Sequence, residues 1–243
     1  LQQGRFVADL CYFKGETITA KLPGTAILQP PVPLGYAADI VGRDALLTRF
    51  SVQQGQLTLP DGLSYALLVL PAAPALSVEV LRKVRELVQA GASVLVQEPP
   101  ATVPGLAAWQ RGEAATAREL IQEIWGTLDG KTTTERSLGQ GKVFRGVPLA
   151  ALLPQLGRLP DFTYTSPRND TALHYIHRQV GEVDIYFIAN HHRSPEEVVC
   201  TFRVAGRQPE LWDAETGRLV VPAVFGQQDD RTRLPLRLEP FGS

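Results

Sequence analysis

Histidine side chains are the first candidates in this 243-residue chain for metal binding or proton transfer. His174 and His177 lie three positions apart in a segment of alternating apolar residues, which is typical of a β-strand. Their side chains should therefore point to opposite faces and cannot share a metal ion. His191 and His192 are adjacent in a polar, turn-like segment, where we expect solvated side chains. The histidines predict no metal site.

Neighbouring carboxylates are the second candidates, at Glu196-Glu197 and Asp229-Asp230. A catalytic carboxylate pair that cleaves glycosidic bonds must face across the bond at roughly 5–10 Å, normally from separate elements. Both pairs lie in polar, turn-like runs, and nothing in the sequence places a further acid opposite either pair. We expect solvated surface charges, so the sequence identifies no catalytic residue.

The clearest structural element lies between residues 65 and 97. Tyr65–Leu70 is an unbroken apolar run, which indicates a strand that is buried on both faces. Ser77 is a suitable N-cap for a helix with an apolar stripe, and Gly91 occupies the C′ position. Ser93–Val96 then predicts a second buried strand. This βαβ pattern predicts an α/β domain with a parallel sheet.

The βαβ segment carries no recognisable catalytic turn. There is no GxGxxG, no P-loop and no nucleophile elbow, and Pro71–Pro74 follows the first strand where a nucleophile would lie. The residues alone therefore predict a doubly wound domain without a visible active centre.

Ligands of open α/β sheets bind at the carboxyl ends of the strands. Lys14 and Glu16 follow the first predicted strand, Phe6–Phe13. Tyr36 and Asp39 precede the first predicted helix and could reach the same edge. We take these four residues as candidates for the rim of a substrate site. Loop packing and helix capping is the alternative, and it is favoured for Tyr36 and Asp39.

The remainder of the first half completes the α/β pattern, with about four main parallel strands and helices on both faces. The predicted elements are a Pro-rich loop (Pro23–Pro33), a helix (Asp44–Phe50), a hairpin (Ser51–Leu63), a helix (Glu113–Trp125), a loop (Lys131–Gln140), a strand (Gly141–Arg145) and a helix (Pro148–Leu156).

The pattern changes to a period of two near Pro160, which favours an antiparallel β-sandwich. We predict an α/β domain over residues 1–159 and a β-sandwich over 160–243. Leu234, Leu236 and Leu238 form one apolar face of the last strand. We expect the sandwich to be cut short there, with a further strand in a longer protein.

Composition narrows the function classes. A formal charge of −1 gives no reason to expect nucleic acid or an anionic membrane as partner. No apolar run approaches the length of a transmembrane helix. The chain begins with Leu and contains no Met, so we expect an excised or mature piece. Cys11 and Cys200 lie in apolar strand patterns and are expected to be buried free thiols.

Five segments together carry a family resemblance over nearly the whole chain. They are LQQGRFVADLCYFKGE (1–16), PDGLSYALLVLP (60–71), VLRKVRELV (80–88), IHR (176–178) with DIYFIAN (184–190), and GRQPELWDAETG (206–217). Their order and spacing resemble the region after the catalytic barrel in glycoside hydrolase family 106, the α-L-rhamnosidases. The first half also resembles the class I glutamine-amidotransferase-like fold, of flavodoxin type, that serves as a non-catalytic trimerisation domain in family 42 β-galactosidases.

The resemblance implies a large secreted or periplasmic bacterial enzyme that removes α-L-rhamnose with inversion and with calcium assistance. Its catalytic carboxylates belong to a barrel that this chain lacks, so no catalytic residue, metal site or cofactor is carried over. Within residues 35–42, Tyr36 and Asp39 match the family's tendency, whereas Ala37 and Gly42 depart from it.

The chain is thus predicted to be an accessory C-terminal portion of such an enzyme. Its expected partners are the catalytic barrel of the parent chain and, through the parent, a rhamnosylated glycan. One alternative is a stand-alone carbohydrate-binding or oligomerisation module, for which Trp212 is the best candidate platform. The other is an independent enzyme on an amidotransferase-like fold.

Overall fold

The structure is a computed structural model that describes residues 3–16, 28–105, 108, 110–214 and 216–243. These residues divide into two compact units. The α/β unit covers 8–33 and 37–158, and the β unit covers 1–7, 34–36 and 159–243, each within the described residues. The predicted domain boundary after residue 159 stays a prediction. In the structure, residues 1–7 and 34–36 belong with the C-terminal unit.

The elements are numbered in chain order. The strands are β1 (Arg5–Phe6), β2 (Leu10–Phe13), β3 (Ala38–Val41), β4 (Ser51–Gln53), β5 (Gln56–Thr58), β6 (Ser64–Tyr65), β7 (Leu67–Leu70), β8 (Ser93–Val96), β9 (Glu135–Leu138), β10 (Gly141–Arg145), β11 (Phe162–Thr165), β12 (Leu173–Val180), β13 (Val183–Asn190), β14 (Glu196–Phe202), β15 (Leu211–Trp212), β16 (Leu219–Val220), β17 (Gly226–Gln228) and β18 (Arg231–Leu238). The helices are α1 (Arg43–Arg49), α2 (Val78–Gln89), α3 (Glu113–Ile124) and α4 (Leu149–Gln155).

A six-stranded sheet in the order β3-β2-β7-β8-β10-β9 forms the centre of the α/β unit. The strands from β3 to β10 are parallel, and β9 pairs antiparallel with β10 at the edge. Every residue of Leu67–Leu70 is fully buried, as expected for a strand covered on both faces. The α/β character predicted from the sequence is therefore confirmed.

Helix α2 connects β7 to β8 as the sequence predicts. The Ser77 hydroxyl accepts a hydrogen bond from the Val80 amide at 3.3 Å and so caps the first turn. The buried stripe consists of Val78, Val80, Leu81, Val84, Leu87 and Val88. Gly91 ends the helix with a φ of +120°, a conformation that favours glycine. Local capping and amphipathicity thus account for this element.

The prediction of one strand over Phe6–Phe13 is wrong. The segment contains β1, which pairs with β12, and β2, which belongs to the six-stranded sheet. Buried Asp9 separates them, and its backbone carbonyl accepts hydrogen bonds from the Ala66 and Leu67 amides. An apolar run shows burial but not which sheet buries it.

Two further strands are absent from the prediction. Ala38–Val41 was assigned to the approach to the first helix, but it forms β3, a fifth parallel strand. Lys131–Gln140 was predicted to be a loop, but Glu135–Leu138 forms the edge strand β9. Both strands are only four residues long and contain charged side chains, so neither has the apolar run of a buried strand.

The other predicted elements of this unit are present. Strands β4 and β5 form the predicted hairpin and β6 extends it, while α1, α3 and α4 lie within a residue or two of the expected bounds. Residues 23–27 of the Pro-rich loop lie outside the described residues, and 28–33 contain no helix or strand.

The β unit contains a three-stranded sheet, β1-β12-β13, and a four-stranded sheet, β11-β14-β18-β17. The pairs within both sheets are antiparallel. Their inward side chains share one hydrophobic cluster, centred on Phe162, Ile188, Val198, Cys200, Phe202, Leu234 and Leu238. Strand β18 lies between β14 and β17, although β17 pairs only with Arg231–Arg233.

Cys11 and Cys200 are free and buried, which confirms the prediction for both thiols. Burial, and after it the Asp39 carboxylate, raises the pKa of Cys11 well above its ordinary value. Burial raises the pKa of Cys200 to about 12. Both groups stay protonated near neutral pH and are therefore poor nucleophiles. Among the described residues, no helix has the length and apolar character needed to cross a bilayer.

Candidate functional site

Glu16, one of the four predicted rim residues, is held at the N-terminus of α2. Its carboxylate accepts hydrogen bonds from the Ser77 amide at 2.5 Å and from the Ser77 hydroxyl at 2.6 Å. Arg43 Nε, at the start of α1, donates to the same carboxylate at 3.1 Å. The carboxylate satisfies the N-cap amide, and a negative charge at a helix N-terminus is favoured by the helix dipole. The carboxylate therefore stabilises the fold.

Lys14 is exposed and lies at the carboxyl edge of the parallel sheet, directly after β2. Its backbone amide donates to the Val41 carbonyl at 3.0 Å, which continues the ladder between β2 and β3. The ammonium group is therefore available to solvent at the edge where α/β folds bind ligands. Its role at a substrate rim stays a prediction.

Asp39 lies within β3 rather than after a strand. It accepts a hydrogen bond from the Tyr65 hydroxyl at 2.8 Å. Burial of Tyr65, and then the adjacent Asp39 carboxylate, raises the pKa of that phenol above its ordinary value. The phenol is thus a stable donor, and the Asp39 carboxylate has a partner inside the α/β unit.

Tyr36 belongs to the β unit and is buried. The neighbouring Gly35 carbonyl accepts hydrogen bonds from the Asp161 amide at 2.7 Å and the Tyr175 hydroxyl at 3.0 Å. Gly35 has a φ of +82°, and a Cβ there would meet the Phe162 carbonyl oxygen at 2.4 Å. This segment is therefore fixed by packing, and substrate contact by Tyr36 stays a prediction.

A charged cluster that the sequence does not reveal occupies the inner face of β12 and β13. His177 Nδ1 lies 3.0 Å from Asp161 Oδ2, and His177 Nε2 lies 3.0 Å from Asp184 Oδ1. The side chains of His177 and Asp161 are buried, and that of Asp184 is 12% exposed. Ionised carboxylates accept but cannot donate, so both ring nitrogens must carry protons. The geometry fits an imidazolium that donates to both carboxylates, an arrangement called the His177 clamp below.

Further groups complete the His177 clamp. The Tyr186 ring stacks on the imidazole with centroids 3.9 Å apart, and its hydroxyl donates to Asp161 Oδ1 at 2.9 Å. Arg207 approaches Asp184 at 3.1 Å, and Arg203 approaches Asp161 at 3.5 Å. Each carboxylate thus faces two cations.

The local field shifts the pKa values in the directions expected. Burial alone would lower the pKa of His177, but hydrogen bonds to Asp161 and Asp184 outweigh it and raise the value. The hydrogen bond from His177 lowers the pKa of Asp184. Burial, followed by the Asp161 charge, raises the pKa of Tyr186. The shifts of His177 and Asp184 therefore both favour the charged form of the pair.

Asp161 and Asp184 do not form a glycosidase pair. Such a pair needs open space between the carboxyl groups for the sugar. Here the imidazole ring fills that space, with one carboxylate on each ring nitrogen. The arrangement stabilises the β unit and offers no room for acid–base chemistry on a substrate.

Glu196 is a second buried acid, and the expectation that it is a solvated surface charge is wrong. Its side chain is fully buried at the start of β14. The Thr171 hydroxyl donates to Oε2 at 2.7 Å, while His192 Nδ1 and Arg168 Nε face Oε1 at 3.2 and 3.7 Å. His192 is likewise engaged rather than solvated. Glu197 is exposed, as expected.

The other candidates remain on the surface. Asp229 and Asp230 form the exposed turn between β17 and β18, both with positive φ, as a tight hairpin requires. His174 and His191 are exposed and stacked, with ring centroids 4.0 Å apart. The described part of the chain contains no group of three or more His, Cys, Asp or Glu residues that could hold a metal ion.

An open groove of about 590 Å³ lies on the four-stranded sheet. It is lined by Thr165, Ser166, Pro167, Glu197, Val198, Val199, Pro235, Leu236 and Arg237. Glu197 and Arg237 are cross-strand partners, so their opposite charges lie side by side. The groove offers no concentrated charge for a ligand.

Sequence reasoning missed the His177 clamp because Asp161, His177 and Asp184 come from three elements. The alternation of Tyr175 and His177 gave the correct shared face, but not the acids that would meet it. The available signal was the cross-strand pairing of His177 with Tyr186. It places two polar side chains on the same inward face of the hairpin as Ile188.

Comparison with known proteins identifies the family of this chain. A family model described as alpha-L-rhamnosidase, glycoside hydrolase family 106, matches residues 1–223. A protein of Formosa agariphila named "Putative beta-glucuronidase" is 35% identical over 240 residues, covering 98% of this chain and 19% of that protein.

Two solved structures extend the comparison. The rhamnosidase from Novosphingobium sp. PP1Y matches with a TM-score of 0.86 and 28% identity, covering 99% of this chain and 22% of that one. A GH42 beta-galactosidase from G. stearothermophilus matches with a TM-score of 0.53 and 12% identity, covering 98% and 40%, which shows similarity of fold alone. The chain spans about a fifth of the length of the Formosa and Novosphingobium proteins.

Replacing His177 should lower the free energy of unfolding and should reduce the dependence of that free energy on pH. We expect His177→Ala to lower the free energy of unfolding by about 3 kcal/mol, because two buried carboxylates lose their shared cation. In the unsubstituted protein, the raised His177 pKa gives a contribution that is complete below about pH 6.5, the unfolded value. That contribution is lost as pH rises through the folded-state pKa. The lowered Asp184 pKa gives a contribution present above about pH 3.9 and lost as pH falls through the folded value.

Urea unfolding between pH 5 and 9 measures this dependence. The decline above pH 6.5 should be reduced in His177→Ala and retained in the exposed control His174→Ala, which should change stability by less than about 0.5 kcal/mol. An unchanged pH slope in His177→Ala would show that the imidazole is not the charged partner of the two acids.

Proposed function

We propose, from the fact that the chain belongs to glycoside hydrolase family 106, the α-L-rhamnosidases, that it is an accessory C-terminal portion of such an enzyme. The parent enzyme would hydrolyse terminal α-L-rhamnosyl linkages. This portion would support the catalytic barrel of the parent and take no part in bond cleavage itself.

The observation that carries the accessory role is the internal use of the buried acids. Glu16 binds the N-terminus of α2, Asp161 and Asp184 enclose His177, and Glu196 faces Thr171 and His192. A catalytic acid must be able to reach a substrate and change its protonation state. Each of these acids is instead tied to partners within the chain.

The α/β unit is proposed to be a non-catalytic, amidotransferase-like domain of flavodoxin type. Support comes from its parallel sheet and from the Pro71–Pro74 segment, which follows β7 where a nucleophile elbow would lie. The fold similarity to a family 42 β-galactosidase is consistent with this proposal. The β unit is proposed to be a β-sandwich, because its two antiparallel sheets share one buried cluster.

Calcium, localisation and substrate are proposed for the parent enzyme. Calcium assistance is proposed for the parent enzyme, as the family resemblance implies, and not for a site in this chain. A secreted or periplasmic location follows from the family. Lys14 remains as an exposed candidate for the substrate rim. The glycan is proposed to be rhamnosylated, and the differently named Formosa relative makes a glucuronide the sugar to test beside it.

A carbohydrate-binding module is a second candidate function, and the Trp212 side chain favours it. The ring is 74% exposed on the β15–β16 hairpin, and its indole N–H donates to Glu210 at 3.2 Å. The turn after it is closed by hydrogen bonds from the Thr216 and Gly217 amides to Asp213. An oriented aromatic face of this kind can stack against a sugar ring.

The parent polypeptide should hydrolyse an aryl α-L-rhamnoside, whereas the 243-residue chain alone should not. The reason is that its buried acids are paired internally and the barrel is supplied by the parent. Both proteins are assayed with aryl α-L-rhamnoside and aryl β-D-glucuronide, each with and without calcium. Turnover by the 243-residue chain that is abolished by replacing one of its own carboxylates would contradict the accessory role. Turnover of the glucuronide alone by the parent would contradict the proposed sugar.

If the second candidate is correct, Trp212→Ala should weaken glycan binding by about 1 kcal/mol, or about fivefold in Kd. Affinity electrophoresis of the 243-residue chain in a rhamnose-containing polysaccharide measures this change. Phe241→Ala is the control, because Phe241 is another exposed aromatic residue, 65% exposed, outside the hairpin. Absence of binding by the unsubstituted chain, or equal loss in both variants, removes the binding-module candidate.

A further inference from the structure

The outward face of the β12–β13 hairpin is apolar. Its large side chains are Ile176, Val180, Val183 and Ile185, which are 42%, 37%, 59% and 39% exposed, with half-buried Phe187 opposite Ile176. These five residues are called the outer strip. Several exposed aliphatic side chains gathered on one strand pair are unlike the singly scattered apolar residues of an ordinary surface.

The outer face of the hairpin departs from that of an ordinary surface hairpin. Antiparallel sheets with one solvated face normally place apolar side chains inward and polar ones outward. Here the inner face carries His177 and Asp184 beside the core residue Ile188, while the outer face carries the strip. Because the register fixes which side chains share a face, the two faces cannot be exchanged without breaking the His177 clamp.

The guanidinium nearest the strip is hydrogen-bonded within the β unit. Arg178 lies opposite Ile185, between Ile176 and Val180, and its guanidinium donates to the Gln3 and Gly4 carbonyls. The guanidinium is thereby drawn towards β1. The strip therefore presents aliphatic groups rather than a charged surface.

Exposed large apolar side chains are confined to one unit. Among the described residues, every such side chain belongs to the β unit, and the α/β unit shows none. This uneven distribution indicates that the β unit carries the surface that another body covers.

Strand β13 adds an open backbone edge beside the strip. It is eight residues long and pairs with β12 on one side, and no described strand pairs with its other side. Long, apolar edge strands are normally covered or protected in native proteins. Both the face and the edge of the same strand thus lack cover in the described residues.

We infer that the outer strip, with the β13 edge, docks against an apolar surface of another domain of the same parent polypeptide. This inference rests on the proposed function only for the existence of a longer parent. The relatives support that premise, since regions matching 98% and 99% of this chain make up only 19% and 22% of theirs.

The size of the strip favours a tethered partner over a second copy of the chain. The strip covers five residues of each strand, Ile176–Val180 and Val183–Phe187, and so measures roughly 14 Å by 10 Å, or about 140 Å². A stable interface between separate proteins buries about 800 Å² on each partner. A domain in the same chain can use a smaller surface, because the linker supplies a high effective concentration.

The test compares the double variant Val183→Lys/Ile185→Lys in the parent polypeptide and in the 243-residue chain. The matched control is Val224→Lys, since Val224 is 67% exposed and lies outside the strip. We expect the double variant to lower the Tm of the parent by several degrees and to leave the Tm of the 243-residue chain unchanged. The Tm of the double variant should therefore differ from that of the control in the parent, but not in the 243-residue chain. Equal Tm values for double variant and control in the parent overturn the inference.

Hydrogen–deuterium exchange of the parent gives a second readout that does not need the isolated chain to fold. Amides of Val183–Asn190 that face away from β12 should exchange slowly in the parent and faster in the double variant. Fast exchange in the unsubstituted parent would show an uncovered edge and overturn docking. So would a dimer of the 243-residue chain that the double variant dissociates, because the occupant would then be a second copy.

These measurements are independent of catalysis. A parent that cleaves no rhamnoside, but whose Tm falls in the double variant, retains the docking surface and loses only the proposed activity. A parent that cleaves rhamnosides and is unaffected by the double variant shows the reverse.

Discussion

The placing of two carboxylates on one buried imidazole determines the organisation of the β unit. Asp161 precedes β11, and Asp184 and His177 lie on β13 and β12, so the His177 clamp joins the two sheets. Leaving such acids without their cation costs several kcal/mol, which fixes the hairpin register. That register sends Ile176, Val183 and Ile185 outward. An internal electrostatic requirement thus produces an apolar outer face.

Pairing of acids within the chain also explains why a member of a glycosidase family shows no catalytic pair in its described residues. Glu16 completes the first turn of α2, and Glu196 lies among Thr171, His192 and Arg168. Acids held in this way are structural groups. This pairing is consistent with the proposal that the catalytic residues of the family lie elsewhere in a longer parent, and that this portion supports them.

The sequence predicted the elements whose signals are local. The βαβ unit follows from Ser77, the apolar stripe of α2 and Gly91, and the hairpin at Ser51–Leu63 follows from its turn residues. The sequence-based predictions were wrong where the burial of a residue depends on partners far along the chain. Phe6–Phe13 divides between two sheets, β3 and β9 are short and charged, and Glu196 is buried by residues far along the chain. Of the four rim candidates, the sequence could not show that Glu16 would cap α2.

The protonation state of His177 tests the central claim most directly. Long-range proton–nitrogen correlation NMR of the 243-residue chain at pH 7 resolves both imidazole nitrogens. The structure predicts protons on both, in slow exchange with solvent, because each nitrogen donates to a buried carboxylate. A single protonated nitrogen, with the other free to accept, would contradict the His177 clamp and the architecture derived from it.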